Sequence, residues 1–209
     1  MRIALIGAGG HAKVVCSIAR RLGYEVLGYY DDGRAPGTMM LGAPVLGTVE
    51  QARQAPDDCW LHVSLGQNQR RAEVFLRLLS WGRAVATLID PSAVLDETVV
   101  VGEGTVIMPG VVVNVDSRIG RNCILNTCCS LDHDGVLGDH VHLCPGTHLA
   151  GSVTVGEGAM LGTGVSVIPG CSIGARTTVG AGSVVLRNLP PDQTVMGVPA
   201  RPRGHATGL

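Results

Sequence analysis

Four histidines, His133, His140, His142 and His148, fall within sixteen positions of this 209-residue chain. One of them lies between two carboxylates in Leu131-Asp132-His133-Asp134-Gly135. An imidazole held by a carboxylate suits general-base work, because the acid fixes one tautomer and favours the protonated ring. An amine or hydroxyl that lost its proton to His133 would attack an acyl donor. Asp134 is the expected orienting carboxylate, although the local sequence offers Asp132 equally. Zinc is a competing use of these side chains, since His140-x-His142 with His148 has ligand-like spacing. Seven cysteines contain no C-x-x-C pair. Cys123, Cys129 and Cys171 read as compact core residues, and the set as a whole points to a reducing, cytoplasmic compartment.

A second chemistry-bearing stretch opens the chain. Arg2 to Ile6 reads as a buried strand, followed by Gly7-Ala8-Gly9-Gly10-His11-Ala12 and a helix from about Lys13 to Arg21. Gly7, Gly9 and Ala12 fit the G-x-G-x-x-G/A pattern, with an aspartate about twenty residues on. A nicotinamide dehydrogenase would need two such halves, and the segment before the repeats has room for one. What stays is local physics: unblocked N–H groups at a helix start attract phosphate, including a diphosphate carried by a substrate. Glu25 to Tyr30 reads as a second strand, Met39 to Gly47 as a loop, Val49 to Arg53 as a short helix and Trp60 to Leu65 as a third strand. A helix over Gln67 to Ser80 and a last strand over Ala84 to Leu88 complete one βαβ-type half. Loops at the carboxyl ends of parallel strands line the binding crevice. Those loops carry Gly9, Gly10 and His11, then Asp31 and Asp32, then Gly66, Asn68 and Arg70; the aspartates suit ribose or base, and Arg70 suits a phosphate.

The element that must position the histidines is a repeat. Every sixth residue from Ile89 to Val185 is aliphatic, seventeen hexads without an interruption, and a small or β-branched residue stands two places before each. Neither a 3.6-residue helix nor a hairpin array predicts that period, whereas a β-helix does: each hexad is a short strand plus a corner, and three close a triangular coil. Residues eighteen apart then stack, for example Ile107, Leu125, Leu143 and Leu161. The register puts His133 in a corner and turns His142 and His148 outward from strand faces, with His140 and His148 read as ordinary exposed residues. The expected architecture is an α/β unit with a small parallel sheet over residues 1–86 and an all-β prism with a tail over 87–209. A formal charge of −1 leaves no electrostatic footprint for nucleic acid or an anionic membrane. The apolar run Ile3 to Ile6 is too short for a span or signal peptide.

In these residues the chain resembles bacterial acetyltransferases of nucleotide-linked amino sugars, those of the bacillosamine and perosamine pathways, together with related sialic acid O-acetyltransferases. The resemblance rests on Gly7-Ala8-Gly9-Gly10-His11, Tyr30-Asp31-Asp32, Ile124-Leu125-Asn126-Thr127, Asp132-His133-Asp134 and the terminal Gly197-Val198-Pro199-Ala200-Arg201. It implies a left-handed parallel β-helix, a homotrimer and acetyl-CoA in a groove between neighbouring prisms, with no metal. His133 then matches the catalytic base and Asp134 its acidic partner, where some relatives have Glu. His142 and Gly151 match positions near the thioester, Gly151 as an oxyanion donor, while Asn126 lines the site and Thr163 and Ala181 meet the pantetheine arm. Gly10, His11, Asp31 and Asp32 match the nucleotide-sugar pocket. Many hexapeptide acyltransferases cover their acceptor with a loop thrown out of a coil, and the uninterrupted repeat here leaves that task to the N-terminal unit. The reading is direct N-acetylation, without an acyl-enzyme, of a nucleotide-linked 4-amino-4,6-dideoxyhexose. O-acetylation of a sialic acid or similar hydroxyl, or a non-catalytic nucleotide-sugar-binding scaffold, are the alternatives.

Overall fold

The computed structural model describes residues 1–202, so the end of the expected tail, 203–209, lies outside the described residues. The N-terminal unit is built on β1 (Arg2–Ile6), β2 (Glu25–Tyr30), β3 (Met39–Met40), β4 (Ala43–Gly47) and β5 (Cys59–Val63) in the order β3-β4-β2-β1-β5. β1 runs parallel to β2 and β5, β2 parallel to β4, and β3 closes the edge antiparallel to β4. Alternation along β1 sorts its side chains to two faces. Ile3 and Leu5 pack with α1 (Gly10–Arg21), and Ala4 and Ile6 with α2 (Asn68–Ser80).

Three sequence expectations change here. Met39 to Gly47 is a hairpin whose second strand joins the sheet, not a loop. The short helix is a 3-10 turn over Glu50–Gln54. Ala84 to Leu88 is not one strand: Val85 bridges Leu61, and Leu88 already pairs with Val106 in the prism. The chain therefore changes sheets within three residues.

From Leu88–Ile89 to Val184–Val185 the chain makes two-residue strands every six residues, each ending on the predicted aliphatic. Residues eighteen apart pair in parallel, as Leu125 does with Ile107 and Leu143, and Leu143 with Leu161. All four of these aliphatics are 0% exposed. Each such burial contributes roughly 2 kcal/mol. The small inward residues do more than fit: Thr105 Oγ1 donates to Gly120 O at 2.8 Å while accepting from Cys123 N at 3.0 Å, tying adjacent coils. At the first coil Ile89, Leu95 and Val101 are only partly buried, since no coil precedes them.

The prism has three faces. The first holds Leu88–Ile89, Val106–Ile107, Ile124–Leu125 and His142–Leu143, and its outward residues Leu88, Val106 and Ile124 are buried under α1. The second holds Ser130–Leu131 and His148–Leu149, and the third Val136–Leu137 and Thr154–Val155. The N-terminal unit thus covers one face only. Arg21 on α1 adds an ion pair to the buried Asp90 at the start of the prism.

Candidate functional site

His133 occupies the corner between the second and third faces, the corner remote from the N-terminal unit. Its Nδ1 lies 2.8 Å from Asp134 Oδ2. Asp132 is otherwise engaged, its Oδ1 accepting from His133 N at 3.0 Å and from Asn114 Nδ2 at 2.7 Å. The geometry separates two carboxylates that the sequence could not. Asp134 adopts a left-handed backbone, φ 57°, a conformation aspartate tolerates better than most side chains. The hydrogen bond to Asp134 raises the His133 pKa above its ordinary value, making the ring a stronger base. Ser117 Oγ donates to Asp132 O at 2.9 Å and fixes the turn from inside.

Gly151 stands one coil below His133. A Cβ built there would lie 2.4 Å from ring atoms Cε1 and Nε2, so the imidazole rests directly on the glycine backbone. Thr163 and Ala181 are exposed and stack at the corner between the first and second faces, with Gly182 N donating to Thr163 O at 2.8 Å.

The other predicted residues gather elsewhere. His142 is on the first face, 8% exposed beneath the N-terminal unit, with Nδ1 at 3.3 Å from Gly66 O. Asn126 Nδ2 lies 3.4 Å from His142 Nε2. Burial pushes the His142 pKa down to about 4, helped by Arg71, and that of His11 to about 3, helped by His142, His62 and Arg71. His11 Nε2 is buried with no hydrogen-bond partner among the described residues. α1 starts at an uncapped Gly9 with no acidic residue in its first turn. Gly9, Gly10 and Gly66 face open space, whereas Gly7, φ 105°, is required sterically, since a Cβ would come within 2.7 Å of Leu65 Cδ2.

Some predicted contacts are already taken by the protein. Asp31 accepts from Ala8 N at 2.7 Å and Gly33 N at 2.8 Å, and Asp32 from Val49 N at 2.8 Å. Arg70 pairs with Asp32 at 3.1 Å. Asn68 turns into the prism, donating to Gly158 O at 3.0 Å and Ala159 O at 3.1 Å, so it docks the two units together. His140, expected at the surface, is 5% exposed, because α2 lays Phe75 edge-on against it with ring centroids 5.8 Å apart. Within one chain the histidines of the zinc spacing do not converge: His140 is in a corner, and His142 and His148 lie on different faces. A cleft of about 530 Å³ between α2 and the prism, near His140, Glu157 and Arg176, lies away from His133.

Sequence reasoning missed Arg71, 1% exposed, which joins α2 to the prism turns at Asn122 and His140. Its signal was helical phase, since residues 71, 74, 75 and 78 form the buried stripe of α2.

Two family models match separate stretches of the chain. Residues 2–78 match the PglD N-terminal domain model and residues 152–187 the bacterial transferase hexapeptide model. The perosamine N-acetyltransferase of Caulobacter crescentus, solved as a His-to-Asn variant with CoA and GDP-perosamine, superposes with a TM-score of 0.92 at 41% identity over 98% of each chain. The chain belongs to the bacterial nucleotide-amino-sugar acetyltransferase family. A second family structure, the acetyltransferase domain of PglB from Neisseria gonorrhoeae with acetyl coenzyme A, gives a TM-score of 0.92 at 35% identity, covering 97% of this chain and 98% of that one. Among curated family members, UDP-N-acetylbacillosamine N-acetyltransferase of Bacillus subtilis is 40% identical over 51% of this chain and 50% of its own length. This chain thus spans about half of that relative. GDP-perosamine N-acetyltransferase of Escherichia coli O157:H7 is 27% identical over 74% of this chain and 72% of its own.

Proposed function

We propose that this protein transfers the acetyl group of acetyl-CoA to the amine of a nucleotide-linked amino-deoxy sugar of the 4-amino-4,6-dideoxyhexose type. The observation that carries the reading is the His133–Asp134 pair at 2.8 Å, seated on Gly151 at an exposed corner of the repeat. In this reading the sugar nitrogen attacks the thioester carbonyl carbon while His133 Nε2 takes its proton. The N–H of Gly151 donates to the developing oxyanion. Collapse breaks the C–S bond, and the imidazolium returns the proton to the departing thiolate. The exposed backbone at Thr163 and Ala181 receives the pantetheine arm. The uncapped start of α1, with open space at Gly9 and Gly10, receives the diphosphate, beside Asp31, Asp32 and Arg70.

The two half-sites support a homotrimer. His133 sits on the corner opposite the covered face, whereas His11, Asn126, His142 and Gly66 sit at the edge of that face. Packing one prism's His133 corner beside its neighbour's N-terminal unit unites them, and sedimentation would report the trimer. We assign the activity to the cytoplasm, where its acetyl donor is made, in keeping with cysteines that are all unpaired.

Thiol release from acetyl-CoA with UDP-, dTDP- and GDP-linked amino sugars tests the reaction. Turnover with an amine supports it; turnover with hydroxyl sugars alone would reassign the enzyme to O-acetylation, and nucleotide-sugar binding without thiol release would make it a scaffold.

A further inference from the structure

Arg71 shares a stripe of α2 with Val74, Phe75 and Leu78, the phase that meets a core. Its partners are all neutral. Nε donates to Asn122 O at 3.0 Å, Nη2 to His140 O at 2.7 Å, and Nη1 to Asn68 Oδ1 at 2.9 Å and to the carbonyls of Leu65 and Gly66 at 3.4 Å. A buried guanidinium without a carboxylate is costly, and packing alone would favour an apolar residue. Burial lowers its pKa to about 10, which leaves it a cation at neutral pH.

The carbonyl of Gly66 held by Arg71 also faces His142 Nδ1 at 3.3 Å. On the other side of the ring, Nε2 faces Asn126 Nδ2 at 3.4 Å. The Asn126 amide is itself oriented, because its Oδ1 accepts from Thr127 N at 2.8 Å. Both contacts require the same tautomer, with the proton on Nδ1 and the lone pair on Nε2. The titratable groups that bear on the ring are Arg71 from α2 and His11 from the start of α1, which in turn faces His62 from β5. Among the described residues no carboxylate shifts it.

We propose that Arg71 is a positioning residue: by clasping the Gly66 loop to the prism it holds His142 as a neutral ring whose Nε2 lone pair, facing Asn126 Nδ2 at 3.4 Å without substrate, passes to an N–H of the incoming sugar amine. The inference rests on the amine-acceptor reading above. It adds that the acceptor end of the site is kept free of an opposing cation by a residue that does not touch the substrate.

The test uses the full chain with ¹⁵N-labelled histidine and no substrate. The wild-type His142 shows the Nδ1–H tautomer and does not titrate down to about pH 5. In Arg71→Met both tautomers appear and the titration rises only part of the way toward the ordinary value, because burial still lowers it. In Arg71→Lys the charge stays but the planar fork is lost, so the tautomers mix while the ring stays neutral. If Arg71→Met fails to fold by circular dichroism, Arg71→Lys decides. A wild-type His142 spectrum in a folded variant overturns the proposal. Kinetically, KM for the amino sugar rises roughly 10-fold in Arg71→Lys while KM for acetyl-CoA holds. A fall in kcat alone, with KM for the amino sugar unmoved, overturns it as well. If wild-type protein acetylates no amino sugar, the proposed function fails, while the spectra still decide the tautomer.

Discussion

In the prism the small inward hydroxyls of Thr105, Ser117 and Thr147 reach backbone carbonyls of the neighbouring coil at 2.8, 2.9 and 3.1 Å. In the N-terminal unit, by contrast, His11 Nε2, His62 Nε2 and Ser64 Oγ are buried without a partner among the described residues. Leaving such a group unpaired costs about 1–3 kcal/mol. The prism has one such atom among the described residues, Asn122 Oδ1, so the difference separates a scaffold that satisfies most of its own polar groups from a receiving surface with free hydrogen-bonding capacity. The prism presents the exposed His133–Asp134 pair at a corner, and the N-terminal unit presents buried polar atoms without protein partners among the described residues.

The sharpest way to break this comparison is acid. His62 and His142 titrate at about 4 when folded, mainly through burial, against about 6.5 unfolded. Their neutral forms support the fold fully above 6.5, and that support is lost as pH falls toward 4. From pH 7 to 5 the loss is about 2 kcal/mol for each. Hydrogen exchange should show β5 and α1 opening before the prism strands, and simultaneous opening would show that the two regions are one cooperative unit.

Next in size is the core. Leu143→Ala removes a rung from a fully buried ladder and should cost about 3 kcal/mol in urea unfolding, whereas Leu95→Ala, in the partly exposed first coil, should cost about 1. Equal costs would mean that the first coil is covered in solution.

On the prism corner, His133→Ala should lower turnover about 10²-fold with acetyl-CoA affinity unchanged. Because the hydrogen bond to Asp134 raises the His133 pKa, Asp134→Asn should move the acid limb of the rate profile to lower pH while reducing kcat. A limb that does not move would remove Asp134 from that role. The smallest effect is expected at Gly151→Ala. The added methyl must push the exposed His133 ring aside, lowering kcat roughly 10-fold with little change in melting temperature.

The prism was legible because one inward position recurs seventeen times, so a single reading of the register places every coil. β4 was hidden by Gly42-Ala43-Pro44, which reads as a turn, yet Pro44 lies within a strand that pairs with both β3 and β2. The burial of His140 was illegible in the repeat, since α2 of the other unit causes it. Asp132 and Asp134 differ only in backbone conformation and partners, which spacing does not encode. Arg71 was readable from helical phase, but not the carbonyls it would find.

The eighteen-residue register also makes the prism a ruler. Chain position sets both height, in steps of about 4.8 Å per coil, and compass bearing around the axis. Removing eighteen residues would shorten the molecule and preserve every bearing below the cut. Removing six would swing everything below by one face, carrying Thr163 and Ala181 away from the side on which Gly151 supports His133. The reach from His133 to Thr163 and Ala181 can therefore change without turning one against the other only in whole turns of the repeat.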